Sequence, residues 1–167
     1  MRRNSIRAIL AKLRALNWRA LAVNAAIIIV VVAAIRMWQQ RDVVAGAAPL
    51  LPGVTWPQQP TLVQFWATWC PVCRAEQGSI QALAQDYPNT VTIAMQSGER
   101  AAVDKFMREQ GLTFPIINDA DGRIAQAWGV HAVPASFIVD GAGQIRFVEM
   151  GYTTELGLRL RLWLAGF

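Results

Sequence analysis

The chain has 167 residues, room for one domain of ordinary size plus a short extra segment. It is 54% hydrophobic with a formal net charge of +5, and neither quantity is evenly spread. Residues 1–42 hold Arg2, Arg3, Arg7, Lys12, Arg14, Arg19, Arg36 and Arg41 against Asp42 alone, a balance of +7, whereas residues 43–167 hold eight basic and ten acidic residues, or −2. The basic excess therefore belongs to the N-terminus, and a nucleic acid partner for the folded part is excluded.

Ala20–Ile35 reads ALAVNAAIIIVVVAAI, sixteen residues without a charge and with Asn24 as the single polar side chain. With Arg19 and Arg36 able to snorkel and Trp18 and Trp38 at interfacial positions, residues 20–37 are expected to form a transmembrane anchor. The cations ahead of it place the basic segment 1–19 in the cytoplasm and the rest of the chain outside. That predicts a single-pass protein of the inner membrane with the domain that follows in the periplasm. Two alternatives stand beside this: a cleaved signal peptide with Ala45-Gly46-Ala47-Ala48 as its site, and a buried helix of a soluble core. Ahead of the run, Ile6, Ile9, Leu10, Leu13 and Leu16 recur at helical spacing among basic residues, a pattern suited to a helix on the inner leaflet or to a plain topology signal.

Residues 38–49 are expected to be linker, within a stretch (39–60) rich in Pro, Gly, Ala and Gln that shows no periodicity. Elements then alternate. Thr61–Trp66 is a short apolar strand, and a helix runs from Pro71 to about Tyr87, closed by Pro88. Thr90–Met95 is a strand, and Glu99–Gln110 a helix ended by Gly111. Phe114–Ile117 is extended, Asp119-Ala120-Asp121-Gly122 a turn, and Ile124–Trp128 a short helix. Strands Ala135–Val139 and Gln144–Met150 flank the turn Asp140–Gly143, and a last helix covers Thr154–Leu164. This order predicts an α/β fold with a mixed central sheet flanked by helices.

The only two cysteines lie in FWATWCPVC, Phe65–Cys73. A structural disulfide usually closes a longer loop, and a four-thiolate metal site needs a second pair. If the strand ends before Cys70 and a helix begins there, Pro71 occupies the first turn, where its missing N–H is harmless. The N–H groups and dipole of that turn favour a thiolate at Cys70, and Cys73 lies one turn further in, more buried. Cys70 is then the exchanging sulfur and Cys73 the one that resolves the mixed disulfide. About 60 residues on, Gly129–Ala135 reads GVHAVPA ahead of an apolar strand. Pro134 at a strand start can hold a cis bond, leaving the backbone of Val133 free to pair with an extended substrate.

FWATWCPVC, the following Arg74-Ala75-Glu76, the later GVHAVP and the Asp140–Gly143 turn together resemble the thioredoxin superfamily over residues 50–167. Within it the chain looks similar to membrane-tethered TlpA/ResA-type proteins, and its closing stretch GYTTELGLRLRLWLAG to ScsD-type proteins of the suppressor-of-copper-sensitivity group. The resemblance implies a thioredoxin fold behind an N-terminal transmembrane helix, with Cys70 as nucleophile, Cys73 as resolving thiol, Pro134 as the cis-proline facing them and Glu76 as a nearby modulating acid. It implies thiol–disulfide exchange with protein thiols and disulfides, a link to copper tolerance, a membrane electron donor if the protein is a reductase, and no separate cofactor. Two departures stand out. Gln64 occupies the strand position where thioredoxin carries a buried acid, so a proton acceptor for Cys73 must come from elsewhere, with Glu76 the candidate. Gln77-Gly78 follows Glu76 without the proline of the TlpA/ResA type.

Each of these residues has a plainer reading. Glu76 can be an exposed helix glutamate, and His131, the single histidine, a loop residue rather than a copper ligand beside the thiols. Trp69 is expected at the substrate-contacting surface, Trp66 and Trp128 in the core. The leucines of the terminal helix read as packing, or as a face that docks on a membrane or partner. Against the exchange enzyme stands a binding module in which Cys70, Cys73 and His131 capture Cu(I), a soft ion suited to thiolates. No metal site is otherwise expected.

Overall fold

The structure is a computed structural model and describes residues 18–40 and 44–166. The amphipathic helix read in the first sixteen residues, with most of the basic segment, lies outside the described residues. The chain divides into two compact units, Met1–Arg41 and Asp42–Phe167.

In the first unit, α1 spans Trp18–Gln40. Among the described residues no helix is long and apolar enough to cross a membrane. The transmembrane anchor expected over residues 20–37 is corrected accordingly, and with it the single-pass inner-membrane placement and a membrane electron donor reached through the anchor. The physical shortfall is in the uncharged run. Its sixteen residues rise about 24 Å as a helix, against a hydrocarbon core of about 30 Å.

The second unit is a six-stranded sheet in the order β1-β6-β5-β2-β3-β4. Its strands are β1 (Gly46–Ala47), β2 (Thr61–Trp66), β3 (Thr90–Met95), β4 (Ile116–Asp119), β5 (Ala135–Val139) and β6 (Gln144–Met150). Its helices are α2 (Pro71–Asp86), α3 (Arg100–Gln110), α4 (Arg123–Ala127) and α5 (Glu155–Ala165). β2, β3 and β4 run parallel, while β5, β6 and β1 add antiparallel strands on the other side of β2. The mixed sheet covered by helices is the one expected. Gly46–Ala47, inside the stretch without periodicity, pair with Ile145 and Gln144 at the sheet edge.

All six residues of β2 are buried, which is the reason for its nearly unbroken apolar run: both faces of this central strand are covered. On one face Leu62 and Trp66 pack with Ile80 and Leu83 of α2, Val103 and Met107 of α3, and Leu158 and Leu162 of α5. On the other, Val63 and Phe65 join Ile93, Phe137, Val139 and Trp128. Trp128 is fully buried there, with Phe137 edge-on at 5.0 Å and Phe65 at 5.7 Å between ring centroids.

Element ends follow local chemistry. Gly111 closes α3 in the left-handed conformation, φ 64°, with its N–H on the carbonyls of Met107 and Arg108. Thr154 caps α5 by accepting the Gly157 N–H at 3.2 Å. β4 begins at Ile116, two residues later than the extended piece expected from Phe114. Pro115 brings no N–H to a ladder, and its carbonyl is taken by both the N–H and the hydroxyl of Thr92.

Candidate active site

β2 runs into the centre of the sheet and delivers Ala67–Cys70 to the start of α2. Cys70 is the N-cap, extended at φ −87° and ψ 112°, and Pro71 follows at the first helical position. The Cys73 N–H donates to Cys70 Sγ at 3.0 Å. The two sulfurs are joined as a disulfide whose Cα atoms lie 5.3 Å apart. Burial does not separate the two cysteines as expected: Cys70 is 3% exposed and Cys73 2%. What distinguishes them is position, because Cys70 caps the start of the helix between exposed Trp69 and exposed Pro71 and Val72, while Cys73 lies within its first turn; both sulfurs belong to the core cluster that holds Trp66 and Ile80.

The GVHAVPA segment faces the pair. The Val133–Pro134 peptide bond is cis, and the Val133 carbonyl oxygen lies 3.6 Å from Cys70 Sγ. Pro134 is buried and its carbonyl accepts the Gly151 N–H at 2.8 Å. His131 is exposed and, among the described residues, no group of three or more His, Cys, Asp or Glu is gathered that could hold a metal ion.

Trp69 is 57% exposed, with its indole N–H on the Gln96 carbonyl at 3.0 Å. The adjacent Thr68 N–H donates to Ser97 Oγ at 3.0 Å. Gln96 takes a left-handed φ of 44°, which a non-glycine residue rarely adopts. This Gln96–Ser97 loop was not read from the sequence. No residue type in it announces the conformation, and its bonds run to positions 27 and 29 residues away.

Glu76 is not an exposed helix residue but is 1% exposed, on the side of α2 that meets the sheet. Its Oε1 accepts the Thr153 N–H at 2.9 Å and its Oε2 accepts the Gln64 amide N–H at 3.2 Å. The Gln64 carbonyl in turn accepts the Ser136 hydroxyl. Burial pushes the Glu76 carboxyl from 4.5 to about 7, against the lowering effect of the Thr153 and Gln64 bonds. Ser136 and Thr153 were also missed. A serine in an apolar strand and a threonine before a cap carry no signal until the fold brings them to Glu76.

A paired CxxC at a helix start, a cis-proline loop over it and a buried carboxyl one turn behind are the parts of a dithiol–disulfide site. Residues 54–148 match the AhpC/TSA family, more than half of the chain. The chain belongs to the AhpC/TSA family. It is 33% identical over 109 residues to a thioredoxin-like protein of Haemophilus influenzae, a match that covers 65% of this chain and 65% of the relative. It is 28% identical over 107 residues to sporulation thiol-disulfide oxidoreductase A of Bacillus subtilis, covering 60% of this chain and 65% of that one. The chain therefore spans slightly less than two thirds of the length of these relatives. Among solved structures, a secreted Mycobacterium tuberculosis disulfide oxidoreductase homologous to E. coli DsbE is 29% identical with a TM-score of 0.57, covering 65% of this chain and 84% of that one. These findings support a thioredoxin-like fold of the ResA, DsbE and StoA kind. They give no support to the ScsD-type affinity expected from the closing stretch, and that expectation is corrected. Within that stretch the leucines alternate between core and surface, Leu158 and Leu162 packing in the core while Leu156 and Leu160 are exposed.

Proposed function

We propose that this AhpC/TSA-family protein is a thiol–disulfide oxidoreductase of the thioredoxin-like type, exchanging the Cys70–Cys73 dithiol/disulfide with protein substrates. The observation that carries the reading is the joined pair at the N-terminus of α2 with the Val133 backbone 3.6 Å from Cys70 Sγ. In the reducing direction the Cys70 thiolate attacks one sulfur of a substrate disulfide and expels the other as a thiolate. The Cys73 thiolate then attacks Cys70 Sγ, closing the protein's disulfide and releasing the second substrate sulfur. Two electrons pass to the substrate. Oxidation of a substrate dithiol is the same sequence reversed.

Cys70 has the position of the attacking sulfur, because the first-turn N–H of Cys73 already points at Sγ and stabilises the thiolate when the bond opens. Trp69 and the Val133 backbone supply the surface on which an extended substrate segment lies, Trp69 by its exposed ring and Val133 by main-chain bonding beside cis-Pro134. Glu76, buried one turn behind Cys73 and titrating near neutrality, is the group that takes the Cys73 proton as that sulfur becomes a nucleophile. Among the described residues the copper-binding alternative gains no group of three or more His, Cys, Asp or Glu, and His131 is exposed.

The test is reduction of insulin disulfides together with mixed-disulfide trapping. The protein is expected to turn over, Cys70→Ser to abolish turnover, and Cys73→Ala to accumulate covalent adducts through Cys70. A metal-free protein that binds Cu(I) yet neither turns over nor forms adducts would replace this reading with the binding module.

A further inference from the structure

Gln64 stands where an ionisable residue would be simplest chemically, and its amide is held at both ends. It lies directly opposite Ser136 in the antiparallel β2–β5 pair, so the two side chains share the face of the sheet that α2 and α5 cover. A primary amide has an accepting end and a donating end. Here the accepting end is occupied by the Ser136 hydroxyl, which leaves the N–H turned to Glu76 Oε2. The other carboxylate oxygen receives the Thr153 N–H. Glu76 is therefore offered donors on both oxygens, the pattern an ionised carboxylate wants and a neutral acid cannot fully use.

We propose that Ser136 is a positioning residue for the exchange site: its hydroxyl, donating to the Gln64 carbonyl, supports the amide orientation whose N–H faces Glu76, and so favours that carboxyl in its proton-accepting form. This rests on the exchange reading of the Cys70–Cys73 pair. By donating to the Gln64 carbonyl the hydroxyl polarises the amide N–H that faces Glu76, and without it that bond to the charged carboxylate weakens and the protonated state gains. The arrangement also explains a glutamine in this buried row. A second carboxyl at position 64 would set two like charges against each other and delay ionisation of both.

The surrounding charges are accounted for. α2 contributes Cys73 one turn before Glu76 and the exposed Arg74. β2, β3 and β5 carry no ionisable residue. On β6, Glu149 lies opposite Ser136 and is paired with Arg161 of α5, and Arg146 is paired with Asp140 of the hairpin. On α5, Arg159 is paired with Glu155 and with Asp86 of α2.

The experiment follows the Glu76 side-chain carboxyl by carbon-13 NMR across pH in the full chain, alongside the pH profile of insulin reduction. Ser136→Ala is expected to raise both midpoints by about half to one pH unit, the size of one lost hydrogen bond to the charged form, and Ser136→Thr to return them to the original value. In a Glu76→Gln background, Ser136→Ala is expected to leave the remaining pH profile where it was. An unchanged or lowered midpoint in Ser136→Ala, or the same shift with Glu76 already replaced, overturns the proposal. Should Ser136→Ala fail to fold, the wild-type chain decides. Contacts between the Gln64 amide protons and Glu76 that persist below the midpoint support a pinned amide, and their replacement by contacts to Ser136 refutes it. A wild-type chain inactive at every pH would strike the exchange reading instead, while the carboxyl titration would still measure what Ser136 does to Glu76.

Discussion

Glu76 binds its proton more tightly in the folded chain, at about 7, than at its ordinary value of 4.5. Between those values the native state keeps a proton that the unfolded chain has lost, so unfolding releases it. The stability this supplies is complete below about pH 4.5 and is lost as pH rises through 7, a swing on the order of 3 kcal/mol. Glu76→Gln keeps a buried hydrogen-bonding side chain and removes the titration. Urea unfolding of the disulfide-closed protein at pH 4.5, 6 and 8 should therefore show the variant gaining on the wild type with each step up in pH. A difference independent of pH would mean that the carboxyl titrates normally despite its burial. The same substitution should flatten the acid limb of the exchange profile. On the proposed role of Glu76 as acceptor of the Cys73 proton, the neutral amide cannot replace it, and the rate at pH 7 should fall by about two orders of magnitude or more, as loss of a general base does.

At the scale of elements, helix ends and turns decide where the chain changes direction, and the caps are individually testable. Gly111 at φ 64° closes α3, and nothing lies within 4 Å of where a Cβ would project. Gly111→Ala should thus cost only the backbone conformation, about 1 kcal/mol in urea unfolding, with no change in the exchange rate. A larger loss would point to a contact made by the altered chain direction. The order of strands and helices was legible because period and punctuation agree: TLVQFW, CPVC, Pro88, Gly111 and the Asp140–Gly143 turn each mark a boundary by sterics or hydrogen-bonding capacity. So was the cysteine pair, whose spacing in a strand-to-helix junction has few other uses. The burial of Glu76 was not legible. A glutamate in a helix looks the same whether its face meets water or a sheet, and what buries this one are residues 12 and 77 positions away, Gln64 and Thr153. The start of β4 was misplaced for a related reason: an apolar run around Pro115 shows neither which carbonyl Thr92 will take nor that the ladder begins only after it.

On the scale of the molecule, the hydrophobic excess of the composition and the packed core are separate things. Both apolar clusters and all six strands lie within residues 44–166, while the longest apolar run, Ala20–Ile35, belongs to the other unit. A chain beginning at Asp42 should thus fold with the same urea midpoint as the full chain and exchange disulfides at the same rate. A chain beginning at Leu50, the start expected from the family resemblance, should not be equivalent. It loses β1, the Ala48 N–H bond to the Gly143 carbonyl at 2.8 Å, the Val44 N–H bond to the Trp128 carbonyl at 3.4 Å, and the packing of Ala48 in the Trp128 cluster. It also bares the edge of β6, whose unpaired N–H and C=O groups invite another chain. At about 1 kcal/mol for each hydrogen bond removed from a partly buried edge, the shorter chain should be less stable by about 2–4 kcal/mol and more prone to associate. Urea unfolding and sedimentation of the two truncated chains side by side measure both effects. Equal midpoints would show that the edge strand contributes nothing to stability and that the domain begins at Leu50. A lowered midpoint in both would show instead that the first unit supports the second.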